Sequence, residues 1–365
     1  MCNVKPGRIS QQLGFTLVEL MVSMTLGLIL TAGLVQIFVS NKQSFIMSQA
    51  LSNVQESGRE GAMILAREIR NADYWGCITE ATSVKSNLNS SGTDDVLDFS
   101  RGLEIYPDAD SDNAIVDGSH VIVMRGIGGA PEVTVEKVPA ADAASLHVSD
   151  ASLFERGDIL LVSDCEHANI FQVTKANENG NDLVVHNTGG TDGTNAISPG
   201  NESSNMPKKY SDNAKIYRPS VTRYSVQADA DGRRSLVVER ALIAGSGGAA
   251  NQLGTPVELV ADIRDMRTHI GVDTDGDGAV DSWQDPPAKD AANAADVLSQ
   301  TLAVKVSLLV RSRDDDVNDD AVQFCFPGWL DCTSDATGLQ TADDSALYRV
   351  YTLTASIRNR TLEGI

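Results

Sequence analysis

This sequence of 365 residues has few basic residues relative to acidic ones, and it contains few patterns that are typical of catalytic sites. Acidic residues outnumber basic ones by 50 to 29, which gives a net charge of −21 at pH 7. Because such a surface repels nucleic acid and anionic lipid, we expect no direct binding of nucleic acid. The five histidines form no H-E-x-x-H pair, and the sequence contains no phosphate-binding loop. It therefore predicts a protein that is not an enzyme.

Cysteine is also rare, and the chain has five: Cys2, Cys77, Cys165, Cys325 and Cys332. Cys2 lies in a leader that we expect to be removed, and the other four allow three pairings. Cys325 and Cys332 would close a short loop, which would leave Cys77 and Cys165 to form a long-range bridge. Such disulfides imply an oxidising compartment such as the periplasm, and four buried free thiols are the alternative.

The N-terminus lacks an ordinary secretory cleavage site but contains a long apolar run. Residues 1–14 are polar, with the basic side chains Lys5 and Arg8, and residues 15–39 are mostly apolar, with Glu19 as their one charged residue. At about 1.5 Å of rise per residue, this run is long enough to cross a bilayer as a tilted helix. No A-x-A-like site follows it, and the preceding basic residues predict a cytoplasmic leader.

Glu19 is the one acid in the apolar run. A carboxylate inside a membrane helix costs about 2–3 kcal/mol on insertion scales, so it is expected to have a partner. If the chain is cut between Gly14 and Phe15, the new amine of Phe15 lies one helical turn from Glu19. The same carboxylate could instead neutralise the amine of a neighbouring subunit in an assembled bundle.

The run from Gly14 to Glu19, GFTLVE, resembles the cleavage and methylation motif of type IV prepilins. The resemblance implies that a prepilin peptidase cuts after Gly14 and methylates Phe15, and that Glu19 is the assembly carboxylate. It also implies a type IV pilin-like fold, in which a long N-terminal helix packs on an antiparallel sheet. The alternative is a plain signal-anchor helix that contains Glu19 by chance.

Beyond the apolar run, the sequence predicts more helix. Apolar or small residues recur every three or four positions through residues 40–72, which is typical of a helix half-buried against a sheet. They are Met47, Leu51, Val54, Gly58, Gly61, Leu65 and Ile69. We therefore expect one continuous helix over residues 15–72, with a transmembrane part at 15–39 and an amphipathic part at 40–72.

Residues 73–365 are predicted to form a β-rich head outside the cytoplasm, which gives an α+β fold class. A first group of candidate strands indicates an insertion-rich part at 73–214; they lie at 120–125, 132–138, 159–163, 170–175 and 182–186. A second group indicates a main antiparallel sheet at 215–365 that packs on the helix; its strands lie at 216–228, 235–242, 302–311 and 347–357. The Asp/Gly-rich turn at 229–232 predicts a hairpin.

Three segments of the head resemble the PilW family of type IV pilus assembly proteins: 73–77 (DYWGC), 163–173 (SDCEHANIFQV) and 348–360, which ends in Arg358-Asn359-Arg360. The resemblance implies a minor pilin that primes assembly at or near the pilus tip and supports twitching, adhesion or DNA uptake. The implied partners are minor and major pilins, the prepilin peptidase, the inner-membrane assembly platform, and membrane lipid before assembly. The implied location is the inner membrane with the head in the periplasm, and later the pilus or cell surface.

Two other functions remain open at this point. A pseudopilin of a type II secretion system would have the same architecture. A membrane-anchored, calcium-dependent adhesin that never polymerises would keep its leader.

One acidic segment follows a calcium-loop template. The candidate ligands are Asp273, Asp275, Asp277, the carbonyl of Ala279, and Asp281. Gly278 falls at the sixth position, where the chain must turn sharply, but the twelfth position is Gln284 and no flanking helices are predicted. The sequence therefore predicts a calcium site outside an EF-hand, with a solvated Asp/Gly turn as the alternative.

Overall fold

A computed structural model describes most of the chain. The described residues are 16–78, 84–89, 96–109, 114–127, 133–137, 143–177, 180–188, 199–206, 208–210, 212–241, 253–334 and 336–361. The leader at 1–14 and the predicted cleavage residues Gly14 and Phe15 lie outside this range.

The helices are α1 (Leu17–Asn71), α2 (Ala294–Ser299) and α3 (Arg358–Thr361). In chain order, the strands are β1 (Val84–Ser86), β2 (Leu103–Pro107), β3 (His120–Ile127), β4 (Val133–Lys137), β5 (Ser145–Val148), β6 (Ile159–Ser163), β7 (Ala168–Gln172), β8 (Lys175–Ala176), β9 (Leu183–Val185), β10 (Lys215–Tyr217), β11 (Pro219–Ala228), β12 (Arg234–Arg240), β13 (Val257–Ala261), β14 (Ile263–Val272), β15 (Ser282–Gln284), β16 (Thr301–Arg311), β17 (Gln323–Cys325), β18 (Leu339–Thr341) and β19 (Tyr348–Ser356).

Helix α1 is continuous over 55 residues, which confirms the prediction of one long helix. It begins at a capping box, in which the Thr16 side chain accepts from the Glu19 amide and the Glu19 side chain accepts from the Thr16 amide. Its second half buries one stripe, namely Ala50, Val54, Gly58, Gly61, Leu65 and Ile69. Among the described helices, α1 is long and apolar enough to span a membrane.

A four-stranded antiparallel sheet lies against this stripe, in the order β15-β14-β16-β19. The approach of α1 to the sheet is close at Gly58, where an added Cβ would overlap the ring of Tyr351. The same apolar core includes residues of a five-stranded antiparallel sheet, in the order β13-β12-β11-β3-β2, and the Cβ position of Gly61 lies within 4 Å of both Leu308 of β16 and Leu236 of β12. The predicted hairpin at 229–232 is confirmed, since it joins β11 to β12.

The insertion is an eight-stranded sheet with its own apolar core, in the order β1-β7-β6-β10-β4-β5-β9-β8. Two expectations about it were wrong. The strand at 120–125 (β3) pairs with β11 in the five-stranded sheet and not within the insertion. The predicted strand at 216–228 is two strands, because β10 pairs with β6 and β4 in the insertion whereas β11 does not.

The main sheet also differs from the expected one. The predicted second group of strands is divided between the four-stranded and five-stranded sheets, so α1 packs against two sheets. The central strand β14 was not predicted at all. It pairs with β16 along most of its length, with register shifts near both ends.

Candidate assembly and cation-binding sites

The first half of α1 presents an apolar surface that the rest of the described chain does not cover. Every side chain from Leu17 to Val39 is exposed, including Leu17 at 73% and Phe38 at 70%. Exposed apolar surfaces of this extent mark contacts with a membrane or with other proteins. The segment is therefore the candidate assembly surface.

Glu19 lies at the start of this surface and is held by the helix cap. The Thr16 amide and hydroxyl donate to Glu19 Oε2 at 3.0 and 2.9 Å, and the Glu19 amide donates back to the Thr16 hydroxyl at 3.3 Å. Its carboxylate is thus oriented toward the N-terminal end of the helix. Pairing of Glu19 with the amine of Phe15 involves a residue outside the described range and stays a prediction.

At the other end of α1, a disulfide connects the helix exit to the insertion. Cys77 is bonded to Cys165, with 4.8 Å between the two Cα atoms and a sequence separation of 88. Between the helix and this disulfide, Asp73 adopts a positive φ of 60° and is buried. Its carboxylate accepts from the indole N–H of Trp75 at 2.7 Å, which fixes the turn that leaves the helix.

The last described residues return to the same point. Arg360 Nε donates to Asp73 Oδ2 at 2.7 Å, and the Asn359 side chain donates to the carbonyl of Ala72 at 2.8 Å. Arg360 also donates to the carbonyl of Thr301 at 3.0 Å, in the first residue of β16. The three segments that carry the family resemblance therefore meet where the chain leaves α1, a proximity that the sequence did not reveal.

The second disulfide, between Cys325 and Cys332, has a Cα–Cα distance of 5.9 Å. Its loop lies across the face of the four-stranded sheet, where the Gly328 amide donates to Ser307 Oγ at 2.9 Å. Trp329 in this loop stacks on His269 of β14, with 5.2 Å between ring centroids. Sequence reasoning missed this aromatic contact, because it did not identify β14 as a strand.

The acidic segment 273–281 connects β14 to β15, so it is a hairpin loop and not an EF-hand. Oxygens of Asp273, Asp275 and Asp281 lie within 4.8 Å of one another. Asp277 is outside that group, and its carboxylate accepts the amide of Ala279 at 2.8 Å. The structure thus brings together three of the five predicted ligands, and the roles of Asp277 and the Ala279 carbonyl stay predictions.

Hydrogen bonds within the loop hold two of these carboxylates ionised. The backbone amides of Gly278 and Gly276 donate to Asp273 at 2.8 and 2.7 Å and lower its pKa. The hydroxyl and amide of Thr274 donate to Asp281 at 2.6 and 2.7 Å and lower the pKa of that group. The two oxygens of Asp273 accept one bond each and keep a further lone pair for a ligand. Both Thr274 bonds go to Oδ2 of Asp281, so a ligand would bind that carboxylate through Oδ1.

The donor set fits a hard divalent cation. Oxygens around one calcium ion lie about 2.3–2.6 Å from it, so two ligands are at most about 5 Å apart. The 4.8 Å spread of the three carboxylates is within that limit. An acidic triad that could hold a metal ion is therefore present in this loop, with Asp273 buried and Asp275 and Asp281 exposed.

Comparisons with known proteins bear on both ends of the chain. The family model described as "Type IV Pilus-assembly protein W" matches residues 223–359. This range contains the whole four-stranded sheet, including β16 and β19, which contact α1. The model described as "Prokaryotic N-terminal methylation motif" matches residues 9–35. The segments at 73–77 and 163–173 lie outside both matches, so their resemblance stays a prediction.

No curated protein sequence matches the chain. Among solved structures, a type IV-like pilin, TTHA1219 from Thermus thermophilus, is 11% identical, with coverage of 86% of this chain and 97% of that chain. The TM-score is 0.33, a level of likeness that supports no inference.

Proposed function

We propose that this chain, a PilW-family type IV pilus assembly protein with a prepilin-type N-terminus, is a minor pilin that helps to prime pilus assembly. The observation that carries the proposal is the position of the methylation motif. Its match at 9–35 runs into an apolar helix whose first half is fully exposed and whose second half is fixed in the head. The role is structural and not catalytic.

The proposed mechanism transfers the first half of α1 from lipid to a bundle of pilin helices. The peptidase removes residues 1–14 and leaves a methylated amine on Phe15. The mature helix then leaves the bilayer laterally, and apolar contacts with neighbouring helices replace contacts with lipid. Neutralisation of Glu19 by a subunit's N-terminal amine removes the cost of a carboxylate in an apolar bundle.

The proposal places the protein in the inner membrane with its head in the periplasm, and later in the pilus. The two disulfides support an oxidising compartment for the head. The proposed partners are minor and major pilins, the prepilin peptidase and the assembly platform. Twitching, adhesion or DNA uptake would follow from assembled pili and not from a ligand site on this chain.

Replacement of Glu19 tests this function most simply. Glu19→Ala should be cleaved normally, yet its amount in sheared filaments should fall at least tenfold. Glu60→Ala removes an exposed acid from the same helix and serves as the matched control. Normal piliation in the Glu19→Ala strain would contradict the proposal. Loss of exoprotein secretion without loss of pili in a knockout would favour the pseudopilin function.

We also propose that the triad of Asp273, Asp275 and Asp281 binds calcium. The ion would reduce repulsion among three carboxylates that the loop holds close together. Calorimetry of the full chain should show calcium-dependent heat that disappears in Asp275→Ala and persists in Asp229→Ala, a change in another Asp-rich turn. Equal heats in both variants would contradict calcium binding at the triad. A calcium-binding protein that keeps its leader and is missing from sheared pili would favour the adhesin function.

A further inference from the structure

The last strand, β19, forms an edge of the four-stranded sheet. Its nine residues pair with nine consecutive residues of β16, without a register shift. Within the described part of the chain, β16 is the one strand paired with β19. The opposite side of β19 is therefore a long, regular strand edge.

The register identifies the backbone groups at this edge. The Ser312 amide donates to the carbonyl of Leu347, and the Ile357 amide donates to the carbonyl of Leu302, each at 2.8 Å. Both pairs continue the register of β16 and β19. Because hydrogen-bonded pairs recur at every second residue of an antiparallel ladder, the odd-numbered residues of β19 bond to β16. The N–H and C=O groups of Val350, Thr352 and Thr354 consequently point to the open edge.

This edge lacks the features with which proteins normally block strand addition, such as proline, lysine, a bulge or a very short strand. The other edges of the two sheets against α1 have such features. β13 is paired across a register shift, β2 ends at Pro107, and β15 has three residues. In β19 the one charged residue is Arg349, and Thr352 and Thr354 are exposed.

We propose that the open edge of β19 is a docking surface for an extended polypeptide segment of another pilus subunit. A row of alternating amide and carbonyl groups is matched by another extended backbone, which adds a strand to the sheet. The partner segment would alternate apolar and β-branched residues, since one of its faces continues the row of Tyr351 and Leu353 and the other the row of Val350 and Thr352. The assignment of this segment to another pilus subunit rests on the proposed function.

The direction of β19 argues against a second copy of this chain as the occupant. The strand runs along α1, away from the membrane segment: Tyr351 lies beside Gly58, and Asn359 bonds to Ala72. Antiparallel pairing of two β19 edges would point the two membrane helices in opposite directions. Two copies in one membrane could pair there only in parallel, which is the less stable arrangement per residue.

Hydrogen–deuterium exchange with residue resolution tests the proposal on the wild-type full chain. One sample is purified in detergent, and the other is in membranes of cells that assemble pili. Amides of Tyr351 and Leu353 should be protected in both. Amides of Val350, Thr352 and Thr354 should exchange freely in detergent and at least tenfold more slowly in the membranes. Equal, fast exchange in both samples would overturn the proposal, and so would protection in the purified protein that increases with its concentration.

A proline at the edge supplies a second test. Thr354→Pro removes an outward amide but leaves the ladder to β16 intact, whereas Thr354→Val keeps the amide. The proline variant should lose protection of Val350 and Thr352 in membranes, and the valine variant should not. Retained protection in a folded proline variant would overturn the proposal. If wild-type protein enters sheared filaments with its edge unprotected, the docking surface is refuted while the pilin function stands.

Discussion

Arg360 and Asp73 form a buried ion pair that connects the two ends of the described head, with 2.7 Å between Arg360 Nε and Asp73 Oδ2. The side chains are 11% and 2% exposed. Through this pair the C-terminal segment closes over the exit of α1, one residue after Asn359 bonds to Ala72. The turn that leaves α1 is therefore held by a contact between residues 287 positions apart.

Loss of one partner should destabilise this junction strongly. Arg360→Met leaves the Asp73 carboxylate buried without its cation, and breaking a buried pair in this way costs about 3–5 kcal/mol. Asp73→Asn removes the charge and suits the positive φ at this position. The double variant should therefore recover much of the lost stability. Unfolding of the four proteins in a double-mutant cycle measures the coupling, and additive losses would contradict it.

Gly58 allows the close approach of α1 to β19. In Gly58→Ala the new Cβ overlaps the ring of Tyr351, and such overpacking costs about 1–3 kcal/mol, partly offset by about 1 kcal/mol of helix propensity. Gly27→Ala is the matched control, because nothing lies within 4 Å of its Cβ position. Thermal unfolding should show a lower midpoint for Gly58→Ala alone. Equal midpoints would contradict the packing described here.

The two disulfides should differ in their contribution to stability. In the chain-entropy description, the 88-residue separation of Cys77 and Cys165 corresponds to roughly 4–5 kcal/mol, and the separation of 7 between Cys325 and Cys332 to roughly 2–3 kcal/mol. Paired substitutions by alanine, followed by denaturant unfolding, should reproduce this order. Thiol counting in the denatured, non-reduced mature chain should give none, and four free thiols would exclude both bridges.

Acid should destabilise the contact between the two sheets through His120. Its Nδ1 lies 3.0 Å from the amide of Thr268, and burial together with the charges of Arg267 and His269 lowers the pKa of His120 to about 3. Between pH 6.5 and about 3 the unfolded chain binds a proton that the folded chain excludes, so stability is lost as pH falls through this window. The loss is about 1.4 kcal/mol for each pH unit.

His120→Asn keeps an acceptor for Thr268 but cannot titrate. The slope of the unfolding free energy against pH between 5 and 6.5 should decrease accordingly in this variant. His147→Asn, which alters an exposed imidazole, is the matched control. His186, whose pKa burial lowers to about 4, contributes a slope of its own in this window, so a slope in His120→Asn equal to that of the wild type is the result that would contradict the assignment.

The sequence predicted those elements whose apolar residues keep a regular period. The stripe from Val54 to Ile69 was buried as expected, and β6 has the predicted bounds 159–163. Strand β14 was missed because its pattern is irregular: a register shift follows Ile263, and the buried face includes Thr268 as well as Met266 and Ile270. Such a strand lacks the strict alternation that indicates a half-buried strand.

The sequence also did not predict which residues contact each other when they lie far apart in the chain. The spacing of the aspartates predicted the loop at 273–281, since a local turn brings its carboxylates together. The assignment of β3 to the five-stranded sheet, and the pairing of Asp73 with Arg360, depend on contacts between residues far apart in sequence. A period of two or of 3.6 identifies a buried face but does not identify what covers it.

Mass spectrometry of the chain isolated from piliated cells tests the central claim most directly. The account predicts a mature N-terminus at Phe15 that carries one added methyl group, with both changes lost in a Gly14→Leu variant. A native chain that retains residues 1–14 in cells with an active prepilin peptidase would contradict it.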